Sequence, residues 1–302
     1  MSTATSPSRI AFVLSGGASL GAIQVGMLRV LLERGVVPDM VVATSVGALN
    51  GAFLASHGPN SETVEELAAL WRRLRRGRVF PLEPVTGLLG FLGARRNLVP
   101  GSALRHLAAR HVDHERLEQL PIALHVVACD VLTGEEVLLS HGPLVDAVLA
   151  SAAIPGVLPP VEWDGRLLID GGVVNNTPLS HAIALGAREI YVLPTGGPCE
   201  LTAPPRGALA MLVHATGMMV SQRFVAEVAG PHGDADVIVL PPPCPLDVQP
   251  MDFGHADELM SRAEADARAF LSGRDETVVP LRRGPRRRRM RSPARVELPP
   301  AG

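Results

Sequence analysis

Short apolar runs alternate with longer stretches of helical character along this chain. An apolar run of about four to eight residues bounded by Gly, Pro or Asp is typical of a buried strand. The pattern predicts strands at 9–15, 39–44, 166–170, 189–195 and 236–241, and a pair of strands within 123–140 around a Thr133-Gly134 turn. It predicts helices at 21–35, from the second strand to about 57, at 61–76, after Pro178, within 206–229 and at 256–272. Alternation of this kind indicates a layered α/β/α fold with a largely parallel central sheet.

The same pattern divides the chain into four parts. We expect a flexible N-terminus over 1–8, a core over 9–195, an α/β extension over 196–274 that packs on the core, and a disordered tail rich in Arg and Pro over 275–302. With 302 residues, of which 47% are apolar, the chain can bury a large core.

Charge and cysteine content change this picture little. The formal net charge is −2, and the eight arginines between Arg282 and Arg295 are confined to the tail, so no nucleic-acid partner is expected. Cys129, Cys199 and Cys244 show no disulfide spacing, and their odd number is typical of a reducing cytoplasm.

No membrane span is expected either. The longest uncharged apolar segment, 40–56, is shorter than the roughly 20 residues that a spanning helix needs. We therefore expect a cytoplasmic protein, and peripheral contact with the inner face of the membrane stays open.

A glycine-rich loop, SGGASLGA, follows the first predicted strand. We expect Gly16 and Gly17 to adopt positive φ and to let a ligand approach the backbone, while the next helix offers unpaired N–H groups. Such a loop binds a phosphate or an oxyanion. The spacing to Gly21 does not fit a dinucleotide site, and the next strand ends in Thr44 and not in an acid. We favour an oxyanion.

Ser45 follows the second predicted strand, in the stretch Ala43-Thr44-Ser45-Val46-Gly47. A serine in this place is either a helix N-cap or a nucleophile on a tight turn. The tight turn needs small residues two before and two after the serine, and Ala43 and Gly47 meet that need. The combination with the glycine loop favours the nucleophile.

Asp170 stands at the end of another predicted strand, followed by Gly171 and Gly172. An Asp-Gly pair is common in ordinary turns. A carboxylate at the carboxyl end of a strand can also reach a site at the edge of a sheet.

These three motifs, in this order, resemble the patatin-like phospholipase family, and the stretches 128–137 and 150–161 are also similar to it. The resemblance covers residues 9 to about 195. It implies that Ser45 is the nucleophile of a Ser-Asp dyad with Asp170 as its base. It also implies an oxyanion hole of backbone N–H groups around Gly16, Gly17 and Ala18, and a lipid ester as substrate. The sequence has no HExxH or similar metal-ligand spacing, and we expect no metal or cofactor.

The chain departs from the family pattern at three positions. Ala18 stands where the family has a third glycine, Leu20 where a basic residue is common, and Ala43 where the serine turn begins with glycine. Backbone donors survive all three changes, so we expect altered or reduced activity and not its loss.

Histidines and asparagines leave alternatives open. A Ser-His-Asp triad would need a histidine, for which the downstream candidates are His181, His214, His232 and His255. The strand-end aspartate needs no such relay, so we expect none of them to be the base. Asn175 and Asn176 either order the loop after Asp170 or form an ordinary turn.

The segment 79–100 is apolar, interrupted by glycines and flanked by arginines at 72–78 and at 95–96. It is either a cap that contacts an anionic membrane or a groove wall packed on the core. We predict a serine acyl hydrolase that acts on phospholipid, lysophospholipid or another lipid ester. The alternatives are a lipid-binding or regulatory relative without catalysis and a triad esterase. The oligomeric state stays open.

Overall fold

The computed structural model describes residues 9–81, 83–196 and 207–277. Within these residues eight strands form one sheet: β1 (Ile10–Leu14), β2 (Met40–Thr44), β3 (Ala123–Asp130), β4 (Glu136–Leu139), β5 (Val161–Trp163), β6 (Arg166–Asp170), β7 (Glu189–Leu193) and β8 (Asp236–Val239). The described helices are α1 (Ala22–Glu33), α2 (Val46–His57), α3 (Ser61–Arg73), α4 (Arg76–Val79), α5 (Pro84–Phe91), α6 (Ser102–Arg110), α7 (Leu144–Ser151), α8 (Leu179–Ala184), α9 (Ala208–Ala229) and α10 (Ala256–Thr277).

The strand order is β5-β6-β3-β2-β1-β7-β8, with β4 paired to β3. Strands β3, β2, β1, β7 and β8 run parallel. The neighbours β4, β6 and β5 pair antiparallel. The carboxyl ends of β1 and β2 therefore lie side by side, and each leads into a helix that returns across the sheet.

Helices cover both faces of the sheet, which confirms the predicted layered fold. Side chains of β1 alternate between two cores: Phe12 and Leu14 pack with α1, α2 and α10, whereas Ala11 and Val13 pack with α8. A strand buried on both faces has no polar alternation, so its sequence is a continuous apolar run.

The predicted extension shares the sheet and core with the rest of the chain. Strand β8 pairs with β7, and α10 packs along α1 so closely that a Cβ on Gly26 would overlap the carbonyl oxygen of Met260. Helix α10 also runs to Thr277, beyond the predicted start of the tail at 275. The rest of that tail and the N-terminus over 1–8 lie outside the described residues.

Two expectations about the chain as a whole can be compared with the structure. Cys129 is a free thiol, but Cys244 is disulfide-bonded. The expectation of no disulfide is therefore wrong, because spacing along the chain does not reveal distances in the fold, and the odd count no longer argues for a reducing compartment. Of the helices that the structure describes, none has the length and apolar character to cross a bilayer.

Candidate active site

Ser45 occupies a sharp turn between β2 and α2. Its φ of 55° lies in the left-handed region, which is strained for a residue that has a side chain. The Ser45 side chain caps no amide of α2. Its Oγ donates instead to Oδ2 of Asp170 at 2.6 Å. Ser45 thus stands at the N-cap position without capping the helix, and the turn directs its hydroxyl to a carboxylate 125 residues away.

Small residues on both sides of Ser45 let the turn close. Gly47 packs on the end of β1, where a Cβ would overlap the carbonyl oxygen of Leu14. Ala43 is fully buried, and a Cβ added at Gly51 would still lie 3.7 Å from the Ala43 methyl group. That distance is an ordinary van der Waals contact, so the core has room for alanine at position 43.

A second serine, which the sequence pattern did not reveal, fixes the amide of the turn. Ser45 N–H donates to Oγ of Ser151 at 2.7 Å, and this hydroxyl donates to the carbonyl oxygen of Val127 at 2.6 Å. Ser151 is fully buried at the end of α7. It ties the turn to α7 and β3, and its only sequence signal is its place within the family-like stretch 150–161.

Asp170 ends β6, and its carboxylate is buried. Oδ1 accepts the N–H of Gly172 at 2.7 Å, while Oδ2 accepts the Ser45 hydroxyl. Burial raises the pKa of Asp170 to about 6, although both hydrogen bonds favour its ionised form. The aspartate thus begins an Asp-Gly turn and also contacts the serine, so both interpretations of Asp170 in the sequence apply.

The glycines after Asp170 leave no room for side chains. A Cβ on Gly171 would overlap the carbonyl oxygen of Val127, and one on Gly172 would lie 2.9 Å from Oδ1 of Asn176. The turn can therefore pack against β3 and against the neighbouring loop at the same time.

The glycine-rich loop lies directly beside Ser45. A Cβ on Gly16 would lie 3.0 Å from that of Ser45, and one on Gly17 would overlap Thr195. Neither glycine has the left-handed φ that we expected, whereas Ala18 has φ of 50°. The expectation was wrong because these glycines serve close packing and not an unusual backbone conformation.

The amides of this loop differ in their availability. Gly16 N–H donates to the carbonyl oxygen of Asn176 at 3.0 Å, and Ser19 N–H to that of Pro250 at 2.9 Å. The amides of Gly17 and Ala18 have no acceptor in the part of the chain that the structure describes. Of the three amides that the family resemblance implied, two are therefore free to bind an oxyanion.

Buried polar side chains hold the loop in place. Gln24 Nε2 donates to the carbonyl oxygens of Ser15 at 2.8 Å and Leu193 at 3.1 Å. Asn50 donates to Gln24 at 2.8 Å and accepts from Nε1 of Trp71 at 3.0 Å. These bonds connect the loop to α1, α2 and α3, so its free amides are held in fixed positions.

The other positions in this region are occupied by packing residues. Leu20, where the family often has a basic residue, is buried in the core. Gly21 packs on Val46 and Trp71. The strand end that a dinucleotide site would mark with an acid carries Thr44, whose hydroxyl donates to a backbone carbonyl at 2.9 Å.

Two asparagines order the loop after Asp170. Asn176 donates to the carbonyl oxygen of Gly16 at 3.2 Å, and Asn175 donates to Oε1 of Glu136 at 2.6 Å. Glu136 also pairs with Arg223 of α9 at 2.7 Å. Burial disfavours the charge on Glu136, but its hydrogen bonds outweigh burial and lower its pKa to about 2. An ionised carboxylate thus anchors this loop to α9.

The described histidines do not contact the serine–aspartate pair through hydrogen bonds. His181 bonds Glu136 at 2.6 Å, His232 bonds a backbone carbonyl, and His255 pairs with neighbouring acids. The side chain of His214 lies outside the described residues. The geometry therefore offers no triad partner among the described candidates.

An apolar pocket leads from Ser45 into the molecule. Ser45 and Ala18 line one part of it, and α2, α3, α6 and α7 supply most of its walls. Val79 and Phe80 also line it, whereas α5 further along segment 79–100 exposes its apolar side chains. His111, which the sequence analysis did not single out, lies in the pocket, and burial lowers its pKa. Walls of this kind suit a hydrocarbon chain.

Comparison with known proteins gives matches to the same region. The family model described as patatin-like phospholipase matches residues 12–183. An uncharacterized NTE family protein of Mycobacterium tuberculosis is 34% identical over 184 residues, which are 61% of this chain and 48% of that protein. Human patatin-like phospholipase domain-containing protein 6 is 32% identical over 193 residues, which are 63% of this chain and 14% of that protein. The chain thus spans about half or less of these relatives.

Solved structures give a more distant likeness. VipD from Legionella pneumophila matches 87% of this chain and 68% of its own, with 16% sequence identity and a TM-score of 0.42. The type III effector ExoU matches 89% of this chain and 54% of its own, with 16% identity and a TM-score of 0.37.

Proposed function

Because this chain belongs to the patatin-like phospholipase family, we propose that it is a serine acyl hydrolase that cleaves carboxylic ester bonds of phospholipids or lysophospholipids. The observation that carries the proposal is the 2.6 Å hydrogen bond from Ser45 to Asp170, next to two free amides and an apolar pocket. Nucleophile, base, charge stabilisation and acyl site are then within one short region.

In the first half of the reaction, Ser45 Oγ attacks the carbonyl carbon of the ester. Its proton passes to Oδ2 of Asp170 along the existing hydrogen bond. The carbonyl oxygen becomes an oxyanion, which accepts hydrogen bonds from the amides of Gly17 and Ala18. When the intermediate collapses, the leaving alcohol takes the proton from Asp170, and the acyl group stays on Ser45.

In the second half, water attacks the acyl carbon, and Asp170 accepts a proton from the water. Collapse of the second intermediate returns that proton to Ser45 Oγ and releases the fatty acid. A carboxylate with a pKa of about 6 suits both tasks, because it is ionised at neutral pH and still able to hold a proton during the reaction.

The pocket supports a lipid as substrate and not a small polar ester. Its lining beyond Ser45 is almost entirely aliphatic and aromatic, contributed by α2, α3, α6 and α7. An acyl chain that fills such a pocket leaves water, and each buried methylene contributes about 0.8 kcal/mol. A hydrolysis rate that rises with chain length is therefore expected.

Labelling with a fluorophosphonate tests this proposal. We expect the reagent to modify Ser45, and Ser45→Ala to lose labelling and hydrolysis of p-nitrophenyl esters. Ser56→Ala is the matched control, because Ser56 is a buried serine of α2, the helix that Ser45 precedes, and its hydroxyl contacts His114. Labelling at a different serine, with an active Ser45→Ala, would refute the proposal. No turnover and no labelling of the folded wild type would favour a lipid-binding relative without catalysis.

A further inference from the structure

Helix α5 presents its bulky apolar residues to solvent, the reverse of a normal surface helix. Val85, Leu88, Phe91 and the adjoining Leu92 are 59% to 85% exposed. Their spacing of three, three and one residues places them on one side of the helix. We call these four residues the α5 face.

The opposite side of α5 is the one that contacts the protein. Thr86 is buried and donates to Glu83 at 3.0 Å, and a Cβ on Gly90 would overlap the carbonyl oxygen of Asn97. The helix thus contacts the protein through small residues, and the four side chains of the α5 face are mostly exposed to solvent. An arrangement of this kind is typical of helices that lie in a membrane interface.

Positive charge flanks α5 on both sides in the sequence. Glu83 is the only acid between residues 72 and 100, a stretch that contains seven arginines. Arg72 is paired with Asp257, but the exposed arginines at 76, 78, 95 and 96 make no ion pair with any described residue. Two copies of this surface would repel each other, whereas an anionic lipid surface would attract it.

The segment that carries the α5 face borders the apolar pocket at both of its ends. Val79 and Phe80, just before α5, line that pocket. Just after α5, Leu98 N–H donates to the carbonyl oxygen of Gly156 at 3.0 Å, within the loop whose neighbours Ile154 and Leu158 line the pocket. Both ends of the segment are therefore anchored at the pocket wall.

We propose that the α5 face is a docking surface for a phospholipid bilayer that contains anionic headgroups. This inference rests on the proposed function, because it gives the route by which a lipid leaves the membrane for the pocket. The apolar side chains enter the interface, and the arginines contact the headgroups.

Vesicle binding tests the docking surface independently of catalysis. The Ser45→Ala protein should bind vesicles of phosphatidylcholine and phosphatidylglycerol in equal parts more strongly than vesicles of phosphatidylcholine alone, and salt should weaken the binding. In that background, Leu88→Ser with Phe91→Ser should weaken binding about tenfold or more, because two large apolar side chains no longer leave water. Unfolding temperatures of the variants verify that each is folded.

Leu132→Ser is the matched control, because Leu132 is 86% exposed at the turn between β3 and β4 and far from α5 in sequence. It should bind as the parent does. If the α5 variant also binds as the parent does, the docking surface is refuted, whether or not Ser45 is the nucleophile. Loss of a dimer in sedimentation velocity, with unchanged vesicle binding, would assign the α5 face to a second copy and would equally overturn the proposal.

A fluorescent reporter gives a direct measure of insertion. The chain has two tryptophans, Trp71 and Trp163, and neither lies on α5. Phe91→Trp therefore adds a reporter whose emission should shift to shorter wavelength with anionic vesicles. Vesicle binding without that shift would mean that another surface contacts the lipid.

Discussion

Replacing Asp170 by asparagine should abolish hydrolysis and, at neutral pH, make the protein more stable. The Asp170 carboxylate is buried, and its hydrogen-bond partners are the Ser45 hydroxyl and the Gly172 amide, with no cation among the described residues. Asparagine can keep both bonds, because its oxygen can accept the amide and its NH₂ group can donate to Ser45. What it removes is a buried charge.

The pKa of Asp170 determines how much the buried charge destabilises the fold. Its rise from 3.8 to about 6 means that the folded protein holds this proton more tightly than the unfolded chain. Between these pH values the folded state binds more protons, so its stability falls as pH rises. At 1.36 kcal/mol per pKa unit, the ionised carboxylate costs about 3 kcal/mol of folding free energy above pH 6 and nothing below about pH 4.

Urea unfolding at about pH 3.5 and about pH 8 measures this cost, because these two pH values lie on either side of both pKa values. Asp170→Asn should gain stability over the wild type as pH rises, up to about 3 kcal/mol. Asp266→Asn, at an exposed position of α10, is the control and should show no such gain. If the free energy of unfolding depends on pH equally in Asp170→Asn and in the wild type, then burial of the Asp170 carboxylate does not destabilise the fold. An active Asp170→Asn would refute its role as the base.

Four further predictions concern the same site. Gly17→Val should lower kcat/KM by about 10²–10³-fold by moving the free amides, and rates within a few-fold of wild type would mean that this loop is not the oxyanion hole. Ala18→Gly should relieve the left-handed φ and raise the free energy of unfolding by up to about 1 kcal/mol with activity kept or increased, and a clear loss of stability would contradict this. Turnover of a soluble ester should survive His181→Ala and His111→Ala, whereas a histidine variant with no activity, beside a working Asp170→Asn, would indicate a triad enzyme. The kcat/KM profile should rise with pH through about 6, because the base must be ionised, and a profile that is flat across this range would exclude Asp170 as the group that titrates.

Most of the fold could be predicted from the sequence because its strands are short and apolar on both faces. The structure contains every predicted strand, and the differences are concentrated in 76–163. Helix α7 is too short and too uniformly apolar to reveal a helical period, and β5 has only three residues. Helix 61–76 was predicted too long because Leu74 is extended and ends it at Arg73.

Only the parts of the site that lie in local sequence motifs could be predicted. Ser45 and Asp170 lie in recognisable turns, but the contacts that hold them join residues far apart in the chain. Ser151 bonds the Ser45 amide across 106 residues, and Asn176 contacts Gly16 across 160. Such contacts cannot be predicted from spacing along the sequence. For the same reason, the sequence could not show that the Gly16 amide is already hydrogen-bonded to Asn176.

The packing of α10 on α1 bears on how this chemistry can be inherited. The family match ends at residue 183, yet α1 is covered by α10, and the Ser19 amide of the glycine loop is bonded to Pro250. A gene fusion that moved only the matched stretch would carry the proposed nucleophile and base but would leave α1 and the glycine-rich loop without these contacts. Recombination would succeed only where the recipient supplies a replacement for α10. The stretch that matches the family model is therefore shorter than the stretch of chain that must fold together.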